Sequence, residues 1–366
     1  MTLLKLLSLW ALTISGGNTF ARFVRRRIFK KHYIGILAYH HLAQGPLGPI
    51  APVGLSPKIF SRQVKILTKM FKVFLMKDFA VFIKNNTIPE DGLVFTFDDG
   101  YRDAFDVAAP ILEAAGARGV FYVTGVSFTK QPYLWNDLVG EVFDSLTPLN
   151  FNVLDEAPLK LRDLLKKIAV SKGKKRERFT GLAFQSILDE NQASRENICQ
   201  SLYRILGSNA PRFHPSRTLM TPEQIVDLSR RGHEIGAHTL THTRLSKSRK
   251  FARDEVIESA ERLRINEIPV SSFAYPFGGE ADIGASWVEM LKEAGISNAV
   301  TMEKNAATPT CDPYLLPRIP VSPYHGASFL IALFEMLAWR RLIASWIILW
   351  KQTRIMKRAF PVPYDI

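Results

Sequence analysis

Short apolar runs alternate with amphipathic stretches over most of the chain. Residues 34–39, Ile-Gly-Ile-Leu-Ala-Tyr, are continuously apolar and predict a buried strand that ends at His40-His41. Residues 57–72 carry a helical period, with Ser56 placed as N-cap and Pro57 at the first helical position. Leu93 to Phe97 is a second strand-forming run, closed by Asp98-Asp99-Gly100. A helical pattern follows through Leu112, Gly116 marks its stop, and Gly119 to Val123 reads as the next strand. This βαβ rhythm predicts a parallel sheet or barrel.

Residues 127–217 break the rhythm. Leu161, Leu164, Leu165 and Ile168 recur at helical spacing there, which predicts an inserted helical subdomain. The rhythm resumes with Thr221-Pro222-Glu223, which opens a helix to Arg231 before Gly232. Strands are expected over Glu234–Ala237, Val270–Tyr275, Asn298–Thr301 and Arg318–Val321, and helices over Ala252–Ile265 and Trp287–Ala294. Residues 328–350 form an apolar helical stretch interrupted by Glu335, Arg340 and Arg341, and charges at its centre argue against a membrane span. The N-terminal apolar run Leu6 to Ile14 is shorter than the ~20 residues a spanning helix needs.

The organisation expected is a basic amphipathic segment over 1–32, a barrel over 33–325 with its insertion at about 127–217, and a basic amphipathic helix and tail over 326–366. With 47% hydrophobic and 22% charged residues, a disordered, collagen-like or coiled-coil chain is excluded. Cys199 and Cys311 stand alone, which excludes a disulfide framework and a cysteine zinc site. The net charge of +14 is concentrated in three places. Residues 1–31 carry seven Lys/Arg and no acid, 158–180 carry nine against two acids, and 326–366 carry six against two. Charge on tails and one middle segment, without a nucleic-acid-binding module, does not describe a nucleic-acid binder. For residues 1–31 the preferred reading is a helix lying on an anionic membrane surface, which makes the protein peripheral to a membrane. An export signal, with an exported or periplasmic protein, and a plain helix packed on the domain are the other two readings.

Two clusters carry candidate chemistry. Asp98-Asp99 stands at the C-terminal end of a predicted strand, where α/β enzymes place reactive groups. Adjacent carboxylates repel unless a cation or a proton separates them, although an Asp there also serves as a helix N-cap. His238-Thr239-Leu240-Thr241-His242 follows another strand end, and two histidines four apart share one side of a helical turn. Two histidines and a carboxylate form a three-ligand set that leaves coordination positions open, as catalytic zinc requires.

These residues resemble a known family. Thr96-Phe97-Asp98-Asp99-Gly100, His238-Thr239-Leu240-Thr241-His242 preceded by Gly232-His233-Glu234-Ile235-Gly236-Ala237, and Phe273-Ala274-Tyr275-Pro276-Phe277-Gly278 are similar, in that order, to three motifs of the polysaccharide deacetylases, the NodB-homology or carbohydrate esterase family 4 enzymes. The resemblance covers about residues 34–124 and 218–322. It implies a distorted (β/α)7 barrel and a divalent metal, usually zinc, on Asp99, His238 and His242. It further implies Asp98 as general base, the Phe277 backbone N–H as oxyanion donor, and Tyr275 and Pro276 beside it in the substrate pocket. Leu37-Ala38-Tyr39-His40 resembles the L-x-Y-H element of members that act on poly-N-acetylglucosamine, which makes His40 the expected acid, with His41 and His325 as rivals. Where the family's third motif begins with an arginine that holds the base, this chain has Ala274, and Arg318 is the expected replacement. The fourth motif, an Asp-Trp pair, has no clear match, and Trp135 and Trp287 are aromatic candidates for a sugar-stacking wall or ordinary core residues. The implied activity is hydrolysis of N-acetyl, or else O-acetyl, groups on a polysaccharide or glycan in cell-surface polysaccharide synthesis. The competing expectation is a catalytically silent carbohydrate-binding protein on the same barrel.

Overall fold

The computed structural model describes residues 31–43, 54–130, 133–150, 154–155, 157–190, 192–206, 217–247, 251–279, 282–283 and 285–338, together with Arg27 and Arg341. The expectations for residues 1–26 and for the tail beyond 341 fall outside them.

Seven parallel strands close into a barrel: β1 (Ile34–Tyr39), β3 (Gly92–Phe97), β4 (Val120–Val123), β5 (Glu234–Ala237), β6 (Ser272–Ala274), β7 (Asn298–Lys304) and β8 (Leu316–Pro320). β1 closes the ring by pairing with β3 on one side and β8 on the other. Its register against β3 sets Ala38 beside Thr96 and Tyr39 beside Phe97. A strand the sequence reading missed, β2 (Lys72–Val73), pairs with Gly92 and Leu93 at the start of β3, whereas β4 meets β3 only at Thr96 and Phe97. Two residues carry no alternation, so β2 leaves no periodic signal.

Strand side chains divide by parity, as a barrel demands. Ile34, Ile36, Val94, Val120, Tyr122, Ala274, Val300 and Leu316 fill the interior. Leu37, Tyr39, Phe95, Phe97, Phe121 and Val123 face the surrounding helices. One end is plugged by Met76 and Phe79 of a second missed element, α2 (Met76–Lys84).

The outer layer contains α1 (Pro57–Met70), α3 (Ala109–Ala114), α8 (Pro222–Arg230), α9 (Ala252–Ile265) and α10 (Ala285–Glu293). Pro57 opens α1 as expected, but Ser56 makes no capping hydrogen bond through its side chain. Thr221 does cap α8, accepting from the Gln224 N–H in a reciprocal capping box. The helix after Asp98-Asp99 starts as a π segment over Ala104–Ala108, where the Ala109 N–H reaches back five residues to the Ala104 carbonyl. Pro110 next to it has no N–H to give, and a widened turn accommodates the missing bond.

Between β4 and β5 stand α4 (Trp135–Ser145), α5 (Leu159–Val170), α6 (Gly173–Leu188) and α7 (Gln192–Leu206). They share their own apolar cluster, built on Leu138, Val142, Phe143, Leu161, Leu165 and Ile187, and Phe277 from the barrel rim packs against it. Residues 327–338 are helical and lie on the barrel, with Leu330, Phe334 and Leu337 buried in the main core. Phe334 meets Phe71 edge-on at 5.2 Å. It also explains the glycine in the Ile34-Gly35-Ile36 run, since a Cβ on Gly35 would come within 2.9 Å of its ring. No helix among the described residues is long and apolar enough to cross a membrane.

Candidate active site

The C-terminal strand ends deliver the chemistry to one mouth of the barrel. Asp98 continues the inward parity of Val94 and Thr96 just past β3, His238 follows β5, Tyr275 to Phe277 follow β6, and Arg318 lies in β8. Asp98, His238, Tyr275 and Phe277, with His40 beyond β1, line a cavity of about 290 Å³, and Arg318 stands behind Asp98. The local backbone is forced into place. Asp99, Thr239, His242 and Phe277 all have positive φ, at 76°, 63°, 55° and 64°. Left-handed backbone costs a non-glycine residue about 1–3 kcal/mol and persists where surrounding contacts impose it.

Asp99, His238 and His242 come together. The Nε2 atoms of both histidines lie 3.1 Å from Asp99 Oδ1, and all three side chains are buried. The histidines do not share a helical turn, as their spacing suggested. His238 leaves the end of β5, and left-handed Thr239 and His242 fold the connecting loop back so that the rings face each other at 5.2 Å. His238 Nδ1 is 2.7 Å from the Ala274 carbonyl, which can only accept, so Nδ1 carries the proton. His242 Nδ1 lies 3.1 Å from Asn136 Oδ1 and donates to it likewise. In their neutral forms both rings therefore turn bare Nε2 lone pairs onto a carboxylate oxygen. Three such acceptors aimed at one point can hold a cation between them, and an edge of 3.1 Å suits ligands about 2.0–2.2 Å from one ion. The donor set fits zinc or a similar divalent ion. Burial raises the Asp99 carboxyl, but His242 and His238, when their Nε2 atoms are protonated instead, outweigh it and hold the group well below the ordinary carboxylate range.

Asp98 faces a different partner. Arg318 Nη1 and Nη2 donate to its two oxygens at 2.7 Å each, a bidentate pair with both residues buried. Arg318 is itself fixed by Nε donating to the Thr301 carbonyl at 2.8 Å. Burial pushes the Asp98 carboxyl up, the Arg318 guanidinium more than offsets it, and the net shift is downward. The cation absent from position 274 is thus supplied from β8, two strands along the ring.

The remaining expected residues divide. His40 Nε2 lies 3.9 Å from Asp98 Oδ2, and the ring is about one-third exposed to the cavity. His41 lines the same cavity, but it is buried, 3.3 Å from Asp103 Oδ2 and tilted against the Tyr101 ring at 3.8 Å. His325 stands outside the cavity lining, its Nδ1 accepting from the Ser322 N–H at 3.0 Å. Tyr275 and Phe277 line the cavity, Pro276 is buried between them, and the Phe277 N–H makes no hydrogen bond among the described residues. Trp287 is a core residue. Trp135 belongs to the core of the insertion, yet its Nε1 donates to the His242 carbonyl at 2.9 Å. Arg195 of α7 lies over the Trp135 ring at 4.8 Å and donates to Thr243 Oγ1 at 2.8 Å. The insertion therefore clamps the loop that carries His242. Asn136, Asp137 and Tyr101 also line the cavity and were missed from the sequence. Their one local signal is the triplet Trp135-Asn136-Asp137, which places polar groups beside an aromatic one at the start of a helix.

Comparison with known proteins agrees with this geometry. The family model described as Polysaccharide deacetylase matches residues 193–299, a span that includes His238, His242 and the loop after β6. No curated protein sequence matches the chain. Among solved structures, Streptococcus pyogenes deacetylase PplD in complex with acetate is 17% identical and aligns over 82% of this chain and 98% of its own, with a TM-score of 0.53. IcaB from Ammonifex degensii is 14% identical over 83% of this chain and 97% of its own, with a TM-score of 0.49. A de-N-acetylase from Aggregatibacter actinomycetemcomitans is 14% identical over 82% and 99%, also at 0.49. At 17% identity the PplD likeness concerns the fold, while the family model covers the very residues that bring two imidazoles onto Asp99. Residues 193–299 thus match the polysaccharide deacetylase family model, and the chain shares the fold of a solved deacetylase.

Proposed function

We propose that the protein is a metal-dependent hydrolase that removes N-acetyl groups from an acetylated polysaccharide or glycan of the cell surface. The observation that carries this reading is the separation of two adjacent buried carboxylates into two tasks. Asp99 joins His238 and His242 in a cation site, while Asp98 is held as a free carboxylate by Arg318. A divalent ion held by Asp99, His238 and His242 would polarise the acetamide carbonyl and make water more acidic. Asp98 accepts the proton of the water whose oxygen attacks the carbonyl carbon. The Phe277 N–H is positioned to donate to the oxygen that gains charge as the carbonyl opens. When the carbon–nitrogen bond breaks, His40 gives its proton to the departing amine, and acetate and a free amino sugar result.

Release of acetate from a panel of acetylated glycans by the zinc-loaded protein, followed by mass spectrometry, tests this reading. Glycan binding without acetate release at any metal loading would favour a catalytically silent carbohydrate binder.

The acid assignment has its own test. His40→Ala should lower turnover on an acetamide by roughly 10²–10⁴-fold, the usual contribution of a placed proton donor. His325→Ala should leave turnover near wild type, because that ring is outside the cavity. A large fall in His325→Ala with none in His40→Ala would reassign the acid.

A further inference from the structure

The cavity has a second polar wall, made of residues the mechanism above does not use. It begins beside His242 and runs outward along Asn136, Tyr101 and Asp137. His242 Nδ1 donates to Asn136 Oδ1 at 3.1 Å. The Asn136 side chain and the Tyr101 phenol both line the cavity beside it. Tyr101 Oη donates to Asp137 Oδ2 at 3.0 Å. Asp137 Oδ1 has no protein partner among the described residues, and Asp137 lines the cavity.

The His242 proton fixes which way the Asn136 amide faces, and the Tyr101 phenol turns its own proton onto Asp137. Around Asp137 stand the His41 ring on the far face of Tyr101, Arg217 and Asp99. Arg217 is buried and ion-paired with Glu141, one turn further along α4. Burial pushes Asp137 up to about 6, while His41 and Arg217 pull it down and Asp99 pushes it up.

A buried carboxylate of this kind, with one oxygen held and the other open to a cavity, needs a donor from the ligand. An apolar ligand would leave it unpaired at a cost of about 1–3 kcal/mol. A sugar hydroxyl fits, because it brings a proton in a charge-assisted bond and its ring can lie against Tyr101 and Phe184 in the same wall. We propose that Asp137, positioned by Tyr101, accepts a hydrogen bond from a hydroxyl of the acetylated sugar and so selects a sugar acetamide over a bare acyl group. The inference deepens the deacetylase reading and rests on it for the identity of the sugar. It also gives the helical insertion a task, since Asn136, Asp137 and Phe184 all come from it.

The test compares zinc-loaded wild type, Asp137→Asn and Tyr101→Phe on a chitooligosaccharide and on 4-nitrophenyl acetate, an acyl ester without a sugar. The ratio of kcat/KM for the oligosaccharide to that for the ester should fall roughly 10–100-fold in Asp137→Asn, chiefly through KM, and by less in Tyr101→Phe. An unchanged ratio, with both activities falling together, would mean a structural role and overturn the proposal. Calorimetric binding of the oligosaccharide in an Asp98→Asn background supplies a readout without hydrolysis. Adding Asp137→Asn there should weaken binding by a similar factor, and unaltered binding would overturn the proposal too. Wild-type protein that binds the oligosaccharide through Asp137 but releases no acetate would refute the deacetylase reading and leave the subsite standing.

Discussion

Asp98→Asn should keep its metal and lose roughly 10²–10⁴-fold in turnover on an acetylated glycan. The amide fills the same space but cannot take a proton from water, so only the base is removed. The bidentate grip of Arg318 makes this residue suited to the task. A carboxylate this deeply buried would otherwise be protonated, and the guanidinium at 2.7 Å reverses that tendency. The sign for pH follows. Because the folded value is depressed, the pair stabilises the fold above the unfolded carboxylate value of about 4 and loses that contribution as pH falls through the folded value. The base limb of the activity profile should therefore lie below the ordinary carboxylate range. Arg318→Met should move that limb upward, since burial then loses its largest opponent and only His238 and His40 remain against it. Either change leaves one buried charge without its partner, at about 3–5 kcal/mol of stability, so thermal unfolding and metal content must accompany the kinetics. Full activity in Asp98→Asn would show that another group takes the proton.

What could be read from the chain, and what could not, follows the range of each interaction. Asp98, Asp99, His238 and His242 are legible because each stands at the end of an apolar run, and a parallel strand's end is where a barrel exposes its chemistry. Arg318 is legible for a related reason. A missing cation at Ala274 poses the question, and an arginine inside another strand can answer it. The turn geometry of His238 to His242 is not legible, since spacing alone cannot distinguish a helical turn from a loop bent by left-handed Thr239 and His242. Arg195 lies beyond local reading altogether, and Asn136 and Asp137 show only the triplet Trp135-Asn136-Asp137. They reach the site only because four inserted helices pack into one body and set its edge against the His242 loop. Two-residue β2 falls below the length at which a period can be counted, whereas α2, nine residues long like α8, was passed over. Ser56 looked like a cap by residue type, and Pro57 alone starts α1.

His238→Ala should abolish metal binding, and with it on the order of 10³-fold or more of the turnover, while the barrel stays folded. The ion is being asked for several kcal/mol of charge stabilisation, and each 1.4 kcal/mol is tenfold in rate. The fold should survive because His238 contributes its ring to the site and one hydrogen bond to the Ala274 carbonyl, whereas the surrounding strands are held by ladders and by the apolar clusters on both faces. Thermal unfolding separates metal loss from misfolding. A ligand that binds only the native state adds RT ln(1 + [L]/Kd), about 2.7 kcal/mol at a hundred times Kd, so zinc should raise the melting temperature of the wild type. In His238→Ala the same zinc should produce no such rise, because Asp99 and His242 alone leave too few ligands. Asp99→Ala should behave in the same way through the other vertex of the site. The comparison also isolates Asp98, which keeps Arg318 as its partner in both variants and should retain its depressed carboxyl. Zinc that still stabilised His238→Ala to the wild-type extent would place the ion elsewhere, and the division of labour between Asp98 and Asp99 would have to be abandoned.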